Sequence, residues 1–327
     1  MQRIALTALA LLVACAEPAT VTDAGPITAP PATGQPAEAS TTSAPTGETT
    51  VPVGPVGQTT APAGETTSTT FPSAAQEETI GLKAYFLLDD QGGPSHRPGP
   101  FLVPVHREVP KTVAVATAAV NQLLAGPSAD ERAGTPAMSS AIPEETVLLG
   151  INIEDGLATV DLSREFESGG GSFSMTARLA QVVYTVSQFP TVERVAFHLD
   201  GQPVEVFSGE GLVLDEPVSR DDYLDLLPLI FVDQPAWGAP AGNPARVQGI
   251  GAVFEATFHL GLYDGDGRVL AEPPFAMTDN GSGWGRFDVS LPYSVDREQL
   301  GSLVVWDFSA EDGSRQNIRE YPVQLSD

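Results

Sequence analysis

The chain of 327 residues is short of cations and of cysteine: 16 Lys and Arg stand against 42 Asp and Glu, a formal balance of −26, and there is one Cys. A surface this acidic repels phosphate backbones and anionic bilayers, so nucleic acid is excluded as a partner and so is a polybasic membrane-surface role. One Cys forbids an internal disulfide and any zinc site built on several thiolates. No Lys or Arg occurs between Arg3 and Lys83. Long apolar runs are missing too. Asp, Glu, Gly or Pro interrupts each stretch after the first, so none reaches the ~20 residues that a helix needs to cross ~30 Å of hydrocarbon. The four His residues, His96, His106, His198 and His259, are scattered, and none has a second His or carboxylate at ligand spacing. No Gly-x-Ser-x-Gly occurs, and Gly169-Gly170-Gly171 lacks the following Lys-Ser/Thr of a phosphate-binding loop.

What is present begins with an address. Arg3 precedes an apolar run from Ile4 to Val13, and Leu12-Val13-Ala14-Cys15 closes it. This is the pattern of a lipoprotein signal peptide over residues 1–14, cleaved before Cys15. An ordinary secretory signal with a chance Cys is the alternative. The sole Cys of the chain lying at the cleavage point favours the first, with Cys15 as the site of lipid attachment, holding the protein to the outer side of the cell membrane. Two acyl chains give the stable anchoring that one does not. Residues 15–77 then form a Thr/Pro-rich tether, as in Thr66-Thr67-Ser68-Thr69-Thr70, whose composition buries too little apolar surface to offset its conformational entropy. O-glycosylation of its Thr residues is a second use of the same composition.

Order is expected from residue 78. Strands are read at Ile80 to Leu88 and Phe101 to Val109, and a helix from Thr112 to Ala125 with Val113, Ala116, Val120, Leu123 and Leu124 on one face. Ser128 to Glu131 has the form of a capping box. Asp155-Gly156 and Asp200-Gly201 read as hairpin turns, because Asp-Gly supplies the positive φ angles a tight turn requires. Ser174 to Phe189 is a helix by spacing, preceded by a loose Gly-rich loop. Hairpins mixed with helices imply an α+β domain over 78–226, a mainly antiparallel sheet covered by helices. After Pro228 only short runs remain: Ile230 to Val232, Ala245 to Val253, Ala256 to Tyr263, Arg268 to Met277, Trp284 to Leu291, Ser302 to Ala310 and Ile318 to Leu325. Seven such runs with no helix predict an all-β immunoglobulin-like sandwich over 227–327, of the kind that lacks a disulfide.

Three strings, SAIPEETVLLGINIEDGLATVDLSREFESGGG, ARLAQVVYTVSQFPTVERVAFHLDGQPVE and GEGLVLDEPVSRDDY, resemble the GerMN domain of sporulation and germination proteins. VFEATFHLGLYDGDGRVL, GWGRFDVSLPY and WDFSAEDGS are similar to the immunoglobulin-like Gmad2 domain that commonly follows it. The resemblance implies a cell-envelope lipoprotein, connected in some relatives with spore assembly or germination, and brings no catalytic residues or cofactor with it. GerMN domains are themselves similar to ring-building motifs that pack side by side in envelope assemblies, which implies protein partners. The expected function is therefore a non-catalytic, lipid-anchored scaffold or interaction module. The alternative is a module that binds peptidoglycan or another wall carbohydrate through Trp237 and Trp284, which lie among Gly and Pro and read as loop aromatics. Asp264-Gly265-Asp266-Gly267 leaves two readings open, alternate carboxylates offered to calcium or a hairpin turn. Glu210, Asp215, Glu216, Asp221, Asp222 and Asp225 crowd the boundary, as a solvated surface or as a site for a basic partner or divalent ions.

Overall fold

A computed structural model describes residues 78–90, 99–209 and 211–327. The expected signal peptide, Cys15 and the tether, together with His96 and Glu210, lie outside these residues.

The β-branched and aromatic run after Glu78 forms β1 (Thr79–Leu88), which pairs antiparallel with β2 (Phe101–Pro110) along its whole length, from Thr79 opposite Pro110 to Leu88 opposite Phe101. The helix after Pro110 begins later than Thr112: α1 spans Val115–Leu124. Thr112 spends its hydroxyl on the Ala114 N–H at 3.1 Å, and Val113, expected on the buried face, is wholly exposed. Ala116, Val120 and Leu123 are buried on that face as expected, joined by Ala119, and Leu124 is partly buried against the core. The capping box is present at α2 (Ala129–Ala133). Ser128 Oγ accepts from the Glu131 N–H and Glu131 Oε2 from the Ser128 N–H, and the same carboxylate holds Arg107 with both oxygens. β3 (Met138–Ser139) pairs with β1 at Leu87 and Leu88.

A second sheet follows. β4 (Leu148–Glu154) and β5 (Leu157–Leu162) make a hairpin whose turn residues Asp155 and Gly156 have φ of 49° and 81°. From β5 the chain crosses through α3 (Ser172–Val186) to β6 (Arg194–Leu199), which lies parallel to β5. β7 (Gln202–Pro203) turns back at Asp200-Gly201 but stops at once, since Pro203 offers no N–H. β8 (Val206–Phe207) and β9 (Leu212–Val213) pair as a separate ribbon. The α+β class is as expected. The single antiparallel sheet is in fact two sheets, β2-β1-β3 and β4-β5-β6-β7, and within the second α3 supplies a parallel crossover from β5 to β6.

Helix α3 is buried on almost every side. Met175, Leu179, Val182, Val183 and Val186 face the core at the expected spacing, and a polar stripe at Gln181, Thr185 and Gln188 lies against the open edge of β1. Gln188 accepts from the Lys83 N–H at 2.9 Å and donates to the Lys83 carbonyl at 2.7 Å. Thr185 Oγ1 accepts from the Tyr85 N–H at 3.3 Å, and Gln181 donates to the Tyr85 carbonyl at 2.9 Å. Two residues of the helix, Gln181 and Thr185, and Gln188 in the turn just past its end thus stand in for the strand that β1 lacks beyond β3. Buried backbone groups left unpaired would cost about as much as a lost hydrogen bond each. The Gly-rich loop before α3 is tied down rather than loose: Arg178, 2% exposed, donates to the carbonyls of Phe166, Ser168 and Gly169 at 2.6, 3.0 and 3.3 Å.

The remaining strands are β10 (Ile230–Gln234), β11 (Ala245–Gly251), β12 (Thr257–Tyr263), β13 (Val269–Ala271), β14 (Ala276–Met277), β15 (Gly285–Leu291), β16 (Gln299–Phe308) and β17 (Arg315–Leu325). They form two sheets, β10-β11-β15 and β13-β12-β16-β17, with β14 on the far end of β12. The run Arg268 to Met277 splits in two at Pro273-Pro274, which have no N–H for a ladder. Phe258 and Phe287 meet between the sheets with ring centroids 4.7 Å apart. Trp306 faces outward and is still only 2% exposed, because His259 stacks beside it and the Arg315 guanidinium covers it at 4.4 Å. Among the described residues no helix is long and apolar enough to cross a membrane.

Candidate functional site

Polar side chains from distant parts of the chain converge where β10 meets β1 and α3. Strand alternation makes Lys83 and Tyr85 neighbours on one face of β1. Asp233 follows the buried run Ile230-Phe231-Val232 on β10, and Arg220 opens a 3-10 segment, Arg220–Leu226. Lys83 Nζ lies 2.6 Å from Asp233 Oδ2 and 3.3 Å from the Asp233 carbonyl. The Tyr85 hydroxyl donates to Asp233 Oδ1, and Arg220 Nη1 is 3.4 Å from the same oxygen. Arg220 also donates to the Tyr85 hydroxyl at 3.1 Å, the Tyr184 carbonyl at 3.0 Å and Ser187 Oγ at 2.8 Å. Its guanidinium lies over the rings of Tyr184 and Tyr85, at 4.7 and 5.3 Å.

The electrostatics keep every member in its usual charge state. Burial alone would raise the Asp233 carboxyl, but the charges of Arg220 and Lys83 and the hydrogen bonds from Lys83 and Tyr85 outweigh it and hold the group below the ordinary carboxylate range. Burial likewise opposes the Lys83 ammonium, and the Tyr85 hydroxyl and Asp233 carboxylate beside it overcome that and raise its pKa. Tyr85 and Tyr184 are pushed up, chiefly by desolvation, and stay protonated. Both Asp233 oxygens are occupied, so the carboxylate is a clasp for two cations and a hydroxyl.

Three further contacts extend the junction. Asp90 pairs with Arg319, whose guanidinium lies 4.7 Å from the Phe101 ring centroid. The Trp237 N–H donates to the Pro104 carbonyl at 2.8 Å, and the Trp237 carbonyl accepts from the His106 N–H at 2.9 Å, a parallel bridge between β2 and the segment after β10. Tyr184 and Phe231 meet edge to face at 5.9 Å within a hydrophobic core that continues through both halves. Beside the clasp is a groove of about 750 Å³ lined by Tyr184, Arg220, Phe231, Asp233, Arg286 and Asp288.

The residues singled out in the sequence fall elsewhere or take other parts. Trp237 and Trp284 are half-buried against the core, and Trp237 carries the bridge just described. Asp264 builds the hairpin turn between β12 and β13: its Oδ1 accepts from the N–H groups of Asp266 and Arg268 at 3.0 and 2.8 Å, with Gly267 at φ 77°. Asp266 points toward Arg268 at 3.8 Å. Asp222 caps the 3-10 segment by accepting from the Ser219 N–H. His106, His198 and His259 are half-buried strand residues, His259 in the Trp306 stack. Among the described residues no three His, Cys, Asp or Glu side chains come together as a group able to hold a metal ion. The clasp residues Lys83, Tyr85, Arg220 and Asp233 were not read from the sequence. A lone Lys in an otherwise apolar strand and an Asp closing an apolar strand were the signals available.

The sequence profile of the Germane family, described as sporulation and spore germination, matches residues 83–205. That of Gmad2, the immunoglobulin-like domain of bacterial spore germination, matches residues 229–314. The chain joins a GerMN-type domain to a Gmad2 domain. Two solved structures are similar to parts of it. The first GerMN domain of the sporulation protein GerM from Bacillus subtilis aligns with 44% of this chain and 99% of its own, at 18% identity and a TM-score of 0.36. The tandem GerMN domains of the same protein align with 67% of this chain and 63% of theirs, at 14% identity and a TM-score of 0.36. No curated protein sequence matches the chain. On this division Lys83, Tyr85 and Tyr184 belong to the GerMN domain and Asp233 to the Gmad2 domain, while Arg220 lies between the two matched ranges. The clasp therefore fastens one domain to the other.

Proposed function

We propose that this is a non-catalytic, lipid-anchored protein of the cell envelope, in which Cys15 carries the lipid after removal of residues 1–14 and residues 15–77 form a tether. Residues 78–226 and 227–327 are its GerMN and Gmad2 domains, held together as one interaction module that recruits or positions other envelope proteins on the outer side of the membrane. The observation that carries the reading is the sole Cys at the end of a signal-type run, followed by a cation-free tether and then two domains of the sporulation and germination type. The junction supports the non-catalytic part: its ionisable groups are spent on one another, which suits a mechanical joint.

Crosslinking in live cells, with identification of what is captured, tests the recruiting role. Specific envelope proteins joined to the GerMN or Gmad2 surface support it. Recovery of wall glycan alone would transfer the role to a carbohydrate-binding module, and Trp284→Ala would then abolish cosedimentation with purified wall.

A further inference from the structure

Given the interaction-module reading, on which this rests, we propose that residues 150–154 of β4 are a docking edge for an extended, basic segment of a partner protein, one in which Lys or Arg alternates with Val, Ile or Leu. β4 is the end strand of its sheet, and among the described residues its only strand partner is β5. An open edge of this kind carries unpaired N–H and C=O groups and is a template for another strand. The bulge between Leu148 and Gly150 ends the regular ladder, so 150–154 is the stretch that can pair. Its apolar side chains are incompletely covered. Ile151 and Ile153 stand opposite Val160 and Ala158, which are fully buried, yet Ile153 keeps 37% exposure. A groove of about 700 Å³ lies between β4 and the start of α1, lined by Val113, Val115, Thr117, Ile151 and Ile153, and Val113 is wholly exposed.

Charge decides what suits the edge. Glu144 and Glu145 precede β4, Glu154 and Asp155 close it, and Glu193 stands beside the turn, its N–H donating to the Gly156 carbonyl at 2.7 Å. All five side chains are exposed, and among the described residues none of these carboxylates has a hydrogen-bond or ion-pair partner. The cations of the neighbourhood do not answer them. Lys111, two residues before Val113, is paired with Glu78 at 2.7 Å, and Arg194 sits on β6, with β5 between it and β4. A partner strand with Lys or Arg at alternate positions meets uncompensated negative charge at both ends of the edge, while its Val, Ile or Leu side chains enter the groove. A second copy of this chain is the poorer occupant. Antiparallel addition would set the Glu154-Asp155 end of one copy against Glu144-Glu145 of the other, and like charges placed opposite each other are destabilising. Addition of an extended segment to a sheet edge, with alternate side chains in a flanking groove, is a recurring mode of peptide recognition.

The test uses the full chain with Cys15→Ser and a fluorescent, end-capped peptide of seven residues in which Val and Lys alternate. Anisotropy titration should give a Kd about tenfold or more below that of the same peptide N-methylated throughout, which keeps the charge but cannot pair with a strand, and below that of its Val/Glu counterpart. Glu145→Lys combined with Glu154→Lys, both exposed, should weaken binding about tenfold. The bound Val/Lys peptide should slow hydrogen exchange of the amides of residues 150–154 by about tenfold and leave β12 and β16 unchanged. Equal affinity for the N-methylated peptide, protection at other strands, or no binding would overturn the proposal. So would protection of 150–154 that rises with protein concentration in the absence of peptide, which would give the edge to a second copy. Each of these failures would leave the recruiting role standing if live-cell crosslinking still captured envelope proteins on another surface.

Discussion

Asp233→Asn removes one charge from the centre of the clasp and changes almost nothing in shape. In the native protein the carboxylate faces Lys83 Nζ at 2.6 Å and Arg220 Nη1 at 3.4 Å and accepts from the Tyr85 hydroxyl. Removing one member of a buried ion pair costs about 3–5 kcal/mol, because the remaining charge is left without compensation. Here the three charged side chains keep 21% to 26% of their exposure, so water screens part of the loss, and about 2–3 kcal/mol is expected at pH 7. For a unit of this size that is roughly 5–10 °C in Tm. The pH dependence has a definite sign. Asp233 has a folded pKa below its unfolded value of ~3.9, so its contribution is complete above that value and is lost as pH falls through the folded one. Lys83, raised in the fold, contributes fully below ~10.4 and loses its contribution as pH rises through the folded value. Thermal and urea unfolding of wild type and Asp233→Asn, followed by Trp fluorescence from pH 2 to 8, should show a gap that is constant near neutrality and closes in acid. A gap under ~0.5 kcal/mol at pH 7, or one that persists undiminished at pH 2, would refute the argument that the carboxylate is the source of the stability.

Other substitutions test other parts of the framework. Arg178→Met leaves the carbonyls of Phe166, Ser168 and Gly169 without their donor, and urea unfolding should report a loss of about 2–4 kcal/mol, with faster proteolysis in the Gly-rich loop. Gln181→Leu keeps the volume of α3 but strips partners from the Tyr85 carbonyl and the Ala141 N–H; about 2 kcal/mol should be lost, and amide exchange should rise at Tyr85 and Ala141 first. In Gly249→Ala the new methyl carbon would sit 1.9 Å from the Phe231 carbonyl oxygen and 2.6 Å from the Phe287 ring, so β10 and β11 must separate, and a loss of at least about 2 kcal/mol is expected in thermal unfolding.

Local chemistry in the sequence was enough to place most elements. Asp155-Gly156, Asp200-Gly201 and the Ser128 capping box each act within four residues, and each is where the residue types predict. Alternation located the sandwich strands for the same reason. What the sequence concealed was interaction over long separations. Lys83 and Asp233 are 150 residues apart, and neither carries a motif that announces the other. The polar stripe Gln181, Thr185 and Gln188 looks like the solvent side of an amphipathic helix, and only the exposed edge of β1 gives it a buried use. The parallel pairing of β5 and β6 was masked by two strong hairpin signals on either side of α3. Trp237 lies among Gly and Pro, as a free loop aromatic would, yet its backbone closes a bridge to β2.

A lipid at Cys15 would make the clasped GerMN–Gmad2 pair a tethered module of the membrane surface. Intact mass and N-terminal analysis of the protein extracted from membranes should give a chain beginning at Cys15 and bearing a thioether-linked diacylglycerol, and Cys15→Ala should leave the membrane fraction. A mature chain that begins elsewhere, or a Cys15→Ala protein that is still acylated and retained in the membrane, would contradict it.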